Sequence, residues 1–361
     1  MSSELAQMTS LWNFRVSNTL VSGSFPIEYA LSTSLPTIDS DLQVGTLSAE
    51  IGRFTQLTKL TLNRDLQISG TIPSQLVQLT DLRELFLESW SSSLSGTIPP
   101  ELVQLTSLVN MAIAYGYYSG TVPPQFGLMT LLTDLNLRDN RGISGTLSSQ
   151  LSQLTALQSL KVPGDSMSGT VPAQLARLTS LHTMWLDRNG FSGTISPELS
   201  KLTSLSWLSL HNNDFSGTIP PELAKLTMLD ELELEQNGIS GTHPPQLGQI
   251  ASLRRLNTYS NPVSGTIPWE SLAQLTQLYA ISFSNTELSG TMSSELAQMT
   301  SLWNFRVSNT LVSGSFPIEY ALSTSLPTMC AAQLSQALGW SKCLNGESAL
   351  RAVHSCFEFA L

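Results

Sequence analysis

Apolar and polar residues alternate in short stretches along this chain, and one such pattern returns about every 24 residues from residue 57 to residue 321. A clear copy at residues 204–227 reads SLSWLSLHNNDFSGTIPPELAKLT. In its first part, Leu208 and Leu210 alternate with Trp207 and Ser209, and a period of two predicts a β-strand. The Leu side chains are expected to point inward and the alternate residues outward.

The rest of the unit predicts two more short elements. Residues 215–220 (FSGTIP) again alternate, which favours a short second strand ended by Pro220. Leu223 and Leu226 lie three residues apart, a spacing that predicts one helical or 3₁₀ turn. Because one unit cannot bury its own apolar residues, the units must stack on their neighbours, and the chain is expected to form a solenoid.

The Thr of each Ser-Gly-Thr step marks the units, which number about 13 over residues 1–328 when imperfect copies are included. Asn recurs after the first strand of several units, and an inward amide can donate to and accept from the backbone of a buried turn. These Asn are therefore expected to stabilise the fold. The Asn positions are Asn140, Asn189, Asn213, Asn237 and Asn261.

These motifs resemble the plant-type class of the leucine-rich repeat family, whose consensus is LxxLxxLxLxxNxLSGxIPxxLxxL. The resemblance implies an α/β solenoid, a right-handed superhelix with a concave parallel β-sheet, short second strands and short helical or 3₁₀ turns. It also implies kinship with the ectodomains of receptor-like kinases and receptor-like proteins, and with polygalacturonase-inhibiting proteins. Those are binding modules at the cell surface or outside the cell, which makes an extracellular location the expectation for this chain.

The two ends of the sequence depart from that family pattern. Residues 1–37 are identical to residues 292–328, so the chain begins in the middle of a unit, and we expect it to be a fragment of a longer protein. Residues 329–361 do not follow the repeat and contain all three cysteines. Two interpretations of this tail stay open, a helical cap over the last repeat and read-through sequence without an evolved role.

Composition and motifs narrow the function. With 17 basic and 27 acidic residues, the net charge of -10 argues against nucleic acids as partners. The first residues lack the features of a secretion signal, and no run approaches the ~18 apolar residues of a membrane span. The four His are dispersed, and no nucleophile, metal-ligand or phosphate-loop motif is present. The sequence predicts a protein that is not an enzyme and needs no cofactor or metal.

The outward positions of the concave strands are the best candidates for binding. Most are small or polar, such as Ser282 and Ser284, but neighbouring units carry large and charged residues instead. Exposed Trp, Tyr and Arg on one surface are typical of interaction hot spots. We therefore predict a protein or peptide site centred on Trp185 and Trp207. Its polar border is predicted to contain His211, Glu231, Glu233, Glu235, Arg255 and Tyr259.

Structural explanations compete with this site, because Glu231 can simply pair with Arg255 across the sheet. A weaker aromatic cluster at Phe86, Trp90, Tyr115 and Tyr117 is explained equally well by a repacked turn.

A second hypothesis, from another functional class, is ice binding. The Ser-x-Thr steps give two outward ranks of hydroxyl and methyl groups about 4.8 Å apart, similar to the Thr arrays of ice-binding solenoids. The family consensus already accounts for Ser-Gly, and Thr is a good strand residue. The predicted ladder consists of Thr71, Thr97, Thr121, Thr146, Thr170, Thr194, Thr218, Thr242, Thr266 and Thr291.

Overall fold

A computed structural model describes residues 14–16, 37–40, 44–47, 49–62, 67–88, 93–140 and 142–314 of the chain. The chain divides into two compact units, Met1–Phe191 (unit 1) and Ser192–Leu361 (unit 2). Trp90 and the tail at residues 329–361 lie outside the described residues, so the predicted cap stays a prediction.

The described residues form 25 short strands. Those of unit 1 are β1 (Phe14–Val16), β2 (Thr37–Ser40), β3 (Val44–Thr46), β4 (Lys59–Leu62), β5 (Gln67–Gly70), β6 (Glu84–Glu88), β7 (Ser93–Thr97), β8 (Asn110–Ala114), β9 (Tyr117–Thr121), β10 (Asp134–Asn136), β11 (Gly142–Gly145), β12 (Ser159–Lys161), β13 (Ser166–Thr170) and β14 (Thr183–Trp185). The boundary between the units falls within β15 (Gly190–Thr194). Those of unit 2 are β16 (Trp207–Ser209), β17 (Asp214–Gly217), β18 (Glu231–Glu233), β19 (Gly238–Ile239), β20 (Arg255–Asn257), β21 (Ser264–Thr266), β22 (Ala280–Ser282), β23 (Glu287–Thr291), β24 (Asn304–Arg306) and β25 (Leu311–Ser313).

All the strand pairs are parallel, and each repeat contributes one strand to a long sheet and one to a second sheet. In unit 1 the long sheet runs β1-β2-β4-β6-β8-β10-β12-β14 and the second sheet β3-β5-β7-β9-β11-β13. In unit 2 the long sheet runs β16-β18-β20-β22-β24, while the second strands pair as β17-β19 and as β21-β23-β25. The register is regular, with Leu232 opposite Leu208 on one side and Leu256 on the other. The predicted long and short strands are thus confirmed.

A short 3₁₀ helix follows the second strand in most repeats. One repeat of unit 2 replaces it with a four-residue α-helix, α1 (Trp269–Leu272), where the sequence carries a one-residue insertion. The Ala273 N–H donates to the Trp269 carbonyl at 2.8 Å, so the extra residue is absorbed as an α-turn. The 3₁₀ helices are Ala49–Arg53, Ser74–Gln78, Pro100–Gln104, Pro124–Leu128, Ser149–Gln153, Ala173–Arg177, Pro197–Lys201, Pro221–Lys225, Pro245–Gln249 and Ser294–Gln298.

The core consists of inward Leu side chains from the three parts of each repeat. In the repeat that contains β16, Leu208, Leu210, Leu223 and Leu226 are all buried, together with Phe215 from the second strand. Burial of one such side chain contributes roughly 1.5–3 kcal/mol before the loss of chain entropy is counted. The outward side chains are therefore free to vary without loss of the core.

The predicted role of the recurring Asn is confirmed. The Asn237 amide donates to the carbonyls of Leu210 and Leu234, both at 3.0 Å, and its Oδ1 accepts from the Phe215 N–H at 3.0 Å. Asn189 forms the same pattern in unit 1. Each Asn thus satisfies backbone groups of two repeats that would otherwise be buried without partners.

Candidate binding surface

A shallow groove of about 300 Å³ lies on the outward face of the long sheet in unit 2. Its floor is strand β22, where Ala280 and Ser282 are small and nearly covered. Larger side chains from the neighbouring strands form its walls, so the groove results from one strand with small outward side chains between strands with large ones. The wall residues are Glu233, Glu235, Arg255, Asn257, Tyr259, Tyr279, Trp303, Asn304 and Arg306.

Glu233 is the centre of a hydrogen-bond network beside the groove. Its carboxylate accepts from Trp207 Nε1 and from the Arg255 guanidinium, each at 3.3 Å. His211 Nδ1 lies 3.8 Å from the same carboxylate and 2.8 Å from the hydroxyl of Ser209. Trp207 is therefore oriented by a side chain of the next repeat, and His211 by Ser209 of its own repeat.

Glu231 and Arg255 occupy directly opposite positions of β18 and β20. Arg255 Nε lies 3.7 Å from the Glu231 carboxylate, so the pairing across the sheet that competes with a binding role is present. Burial raises the pKa of Glu231, attraction to Arg255 opposes the rise, and repulsion from Glu233 and Asp230 adds to it. The carboxylates of Asp230, Glu231 and Glu233 are thus close enough to repel one another, and Arg255 offsets part of that repulsion.

Arg255 also begins a row of stacked groups. Its guanidinium donates to the hydroxyl of Tyr279 at 2.9 Å and lies 5.7 Å from the centre of the Tyr279 ring. The Tyr279 ring stacks on Trp303 with centroids 5.7 Å apart and planes within 6°. Trp303 keeps 44% of its surface exposed. The groove thus ends in a rigid aromatic pair that remains accessible.

Tyr259 and Arg306 belong to the same face. Burial and the nearby Glu235 raise the pKa of Tyr259, whereas the positive charge of Arg306 lowers it. The Tyr259 hydroxyl therefore stays protonated at neutral pH and lies in the field of both charges.

The structure brings together part of the predicted site. Glu233, Glu235, Arg255 and Tyr259 line the groove, and Trp207, His211 and Glu231 border it through the Glu233 and Arg255 contacts. Two residues differ from the expected open border, because Glu233 and Glu235 are only 8% and 6% exposed.

Trp185 belongs to unit 1, where it ends strand β14. The ammonium group of Lys161 lies 5.2 Å from its ring centre, and Lys161 is 3.6 Å from the Asp134 carboxylate. Within its unit, Trp185 is thus part of a charged and aromatic patch on the outward face of β10, β12 and β14. A single platform of Trp185 and Trp207 stays a prediction.

Sequence reasoning missed Tyr279 and Trp303. They occupy equivalent positions of successive repeats, each immediately before its long-sheet strand. Aromatic residues at the same position of two successive repeats are visible in the sequence and could have indicated this pair. Ser282, which looks featureless in the sequence, turns out to form the floor of the groove.

The second aromatic cluster is explained in part by local packing. Tyr115 has a φ of 59°, and the Arg138 guanidinium lies 4.6 Å from its ring centre. Phe86 is covered in a similar way by Lys59, at 5.5 Å. Tyr117 is exposed on β9.

The predicted Thr ladder lies on the second strands or shortly after them, and all ten of its Thr are exposed. The Thr194 methyl group faces Gly217 of the next repeat, whose φ is +76°. The neighbouring Ser hydroxyls are engaged, since Ser216 and Ser240 donate to glycine carbonyls at 3.3 and 3.2 Å. At these positions the Ser hydroxyls are therefore engaged by the backbone, while the Thr residues remain exposed.

Within the described part of the chain, no helix is long and apolar enough to cross a membrane. The same residues contain no group of three His, Cys, Asp or Glu side chains arranged to hold a metal ion.

Comparisons with known proteins agree with this architecture. The Leucine Rich Repeat family profile matches residues 204–226. No curated protein sequence matches the chain significantly. The crystal structure of a TDR receptor is similar to this chain, with 27% sequence identity, 90% of this chain covered and a TM-score of 0.78. This chain spans 60% of that receptor.

Two further structures have similar identity. A leucine-rich repeat protein from Leptospira interrogans is 26% identical, covering 91% of this chain and 80% of its own, with a TM-score of 0.76. A plant ice-binding protein is 26% identical, covering 61% of this chain and 69% of its own, with a TM-score of 0.52. The repeated strands, 3₁₀ turns and Asn ladder, taken with these likenesses, show that the chain has a leucine-rich repeat fold similar to that of the TDR receptor.

Proposed function

We propose that this chain is a non-enzymatic recognition module that binds a protein or peptide on the outward face of the long sheet. The observation that carries the proposal is the groove of unit 2, whose walls combine fixed charges with accessible aromatic rings. Aromatic and Arg side chains that surround a partly desolvated depression are typical of energetically important contacts in protein interfaces. The likeness to a receptor supports the same role, and an extracellular or cell-surface location with it.

Rigidity of the groove also supports recognition rather than a purely structural face. Trp207, Arg255 and Tyr279 are each oriented by hydrogen bonds. A surface that is ordered before binding loses less side-chain entropy when a partner arrives.

Filling the groove tests the proposal. Peptides selected from a random display library against the whole chain would be resynthesised and titrated against wild type and Ser282→Trp. We expect the indole to occupy the floor and to weaken binding by about 2 kcal/mol or more. Ser294→Trp, on an exposed 3₁₀ helix of the same unit away from the long sheet, is the matched control. Equal affinity of the selected peptides for wild type and Ser282→Trp would refute the groove as the site.

The Trp-centred site gives a second test within the same proposal. Trp207→Ala and Trp185→Ala are each expected to weaken partner binding by about 2 kcal/mol. Trp207→Ala removes the donor to Glu233, whereas Trp185 belongs to the other unit. A loss with Trp207→Ala alone would restrict the binding surface to unit 2.

Ice binding is the second candidate function, and two observations favour it. Ten exposed Thr recur on the second strands or shortly after them, and a plant ice-binding protein is among the similar structures. A regular rank of methyl and hydroxyl groups suits ordered water better than it suits a peptide. The Ser hydroxyls contribute less to this surface than expected, because Ser216 and Ser240 already donate to backbone carbonyls.

The double variant Thr194→Tyr/Thr218→Tyr separates the two functions. It interrupts the Thr rank on β15 and the adjoining loop after β17, and it leaves the groove residues unchanged. Thermal hysteresis or ice shaping by the wild type that this variant loses would establish ice binding. Retention of peptide binding by the same variant would assign recognition to the long sheet.

A further inference from the structure

One strand sequence occurs in both units and pairs there through opposite edges. The residues of β1 (Phe14–Val16) recur at residues 305–307, within the identical segments noted above. In unit 1, β1 pairs with the strand that follows it, β2, with Phe14 opposite Ile38. In unit 2, β24 pairs with the strand that precedes it, β22, with Phe305 opposite Ile281. The same sequence therefore fits a parallel neighbour on either side.

The long sheet of unit 2 presents one backbone N–H from each repeat to the repeat that follows. The last of these donors is Phe283, whose N–H lies 2.8 Å from the Arg306 carbonyl. Val307 occupies the next position of this series, 24 residues later. In the part of the chain that the structure describes, no long-sheet strand follows β24, so this N–H faces an edge to which a strand can be added. The preceding donors are Leu210, Leu234 and Thr258.

The register shows which acceptor fits this donor. Ser282 is opposite Arg306, and the residue after Ser282 donates to the Arg306 carbonyl. Arg15 is likewise opposite Asp39, so the residue after it, Val16, faces the Asp39 carbonyl. Val307 is the counterpart of Val16 in the identical segment. The Asp39 carbonyl of a second molecule therefore matches the Val307 N–H as well as it matches Val16.

We propose that copies of this chain associate head to tail by strand exchange, in which β24 of one copy pairs with β2 of a second copy in place of that copy's own β1. An unpaired strand edge is a template for a strand of another chain, and here the sequence that fits β2 is present twice. The partner is thus a second copy of this chain.

This association is independent of the proposed recognition function, because it uses the edge of the long sheet and not its outward face. The two surfaces that meet are different, so the contact is heterologous and further copies can add in a linear series. The backbone hydrogen bonds gained between molecules replace bonds of the same kind within one molecule. The balance therefore depends on protein concentration and on how firmly β1 is held by β2.

Proline at the two equivalent valines tests the exchange, because it removes the N–H in question. Val16→Pro weakens the pairing of β1 with β2 and should strengthen self-association about tenfold. Val307→Pro removes the donor offered to the second copy and should weaken self-association about tenfold. Sedimentation velocity of the whole chain over a range of concentrations measures both effects. Identical residues in identical segments are thus expected to act in opposite directions.

Two further variants separate strand exchange from other causes. Val307→Ala keeps the N–H but shortens a buried side chain, so it should associate like the wild type. Val16→Pro/Val307→Pro should lose the association gained by Val16→Pro alone, whereas nonspecific aggregation of a loosened chain would persist. A Val16→Pro protein that stays monomeric, or a double variant that associates as strongly as Val16→Pro, would overturn the inference. Equal losses in Val307→Ala and Val307→Pro would overturn it too, since the effect would then come from core packing.

Discussion

The turn at Asn237 and the equivalent turn at Asp165 have similar backbones but side chains of opposite hydrogen-bonding character. The preceding residue has a positive φ in both, 55° at Gln236 and 77° at Gly164. Asn237 donates to the carbonyls of Leu210, Leu234 and Glu235 and accepts one N–H. Among the described residues, neither carboxylate oxygen of Asp165 has a hydrogen bond of good geometry, and only the backbone N–H of Asn140 lies near enough as a donor to influence it.

This contrast shows what the repeat requires of its buried turn. The backbone there presents carbonyl oxygens that need a donor, and an ionised carboxylate has none. Burial raises the pKa of Asp165 to about 9, Asp139 adds to the rise, and the backbone N–H of Asn140 opposes it. Asp165 is therefore protonated at neutral pH, which restores one donor at a cost in free energy.

Asn237→Asp should produce the largest effect on stability, because it replaces the hydrogen-bond donor of this turn with a carboxylate like that of Asp165. The hydrogen bonds donated by the amide are lost, and a carboxylate faces the carbonyls of Leu210 and Leu234. We expect a loss of about 4 kcal/mol in the free energy of unfolding at pH 8, measured by urea denaturation. Asp214→Asn, at the exposed first residue of β17, is the control and should have almost no effect. A change below about 1 kcal/mol for Asn237→Asp would contradict the assigned role of the ladder.

Asp165→Asn is the reciprocal change and should stabilise the chain. The folded-state pKa of about 9 exceeds the ordinary value of 3.8, so the folded state holds a proton that the unfolded state releases. Stability of the wild type should therefore fall as pH rises from about 4 to about 9. The variant should lack this dependence and gain roughly 2–4 kcal/mol at pH 7. Parallel pH profiles for the two proteins would show that Asp165 is not protonated in the fold.

His243 and Thr258 make a second contrast with the regular repeat, since they replace the core Ile219 and Leu210 of an earlier repeat. His243 Nε2 and Thr258 Oγ1 lie 2.8 Å apart, and the imidazole packs on Phe283 at 4.5 Å. Burial lowers the pKa of His243 to about 4 from 6.5. Only the unfolded state then binds a proton between these values, so stability should fall as pH drops from 6.5 to 4.

His243→Ile/Thr258→Leu restores the apolar pair and should remove this component. The wild type is expected to lose about 2 kcal/mol from this group between pH 7 and pH 5, and the double variant should not. His243→Ile alone leaves the buried Thr258 hydroxyl without its partner and should cost about 1–2 kcal/mol at pH 7. Calorimetry at both pH values measures the difference. An unchanged pH profile in the double variant would mean that other groups carry the acid sensitivity.

These contrasts also indicate how far sequence could go. The Leu spacing and the recurring Asn predicted the strands and the buried ladder, because each is a local rule repeated many times. The groove depends on which of the neighbouring outward side chains are large and which are small. Ser282 gained its role only from Arg255 and Trp303 beside it. The deep burial of Glu233 likewise follows from contacts with other repeats rather than from its own sequence position.

The smallest expected effect concerns the Ser-Gly-Thr step, where Gly217 has a φ of +76°. A Cβ at this position would lie 2.8 Å from the Thr194 methyl group. Gly217→Ala should therefore cost about 1–2 kcal/mol, partly from the backbone conformation and partly from this contact. Thr194→Ser removes the methyl group and keeps the hydroxyl, so a double-mutant cycle separates the two causes. If Thr194→Ser restores none of the lost stability, the cost lies in the backbone conformation, and the close packing of Thr on Gly does not explain why the step recurs.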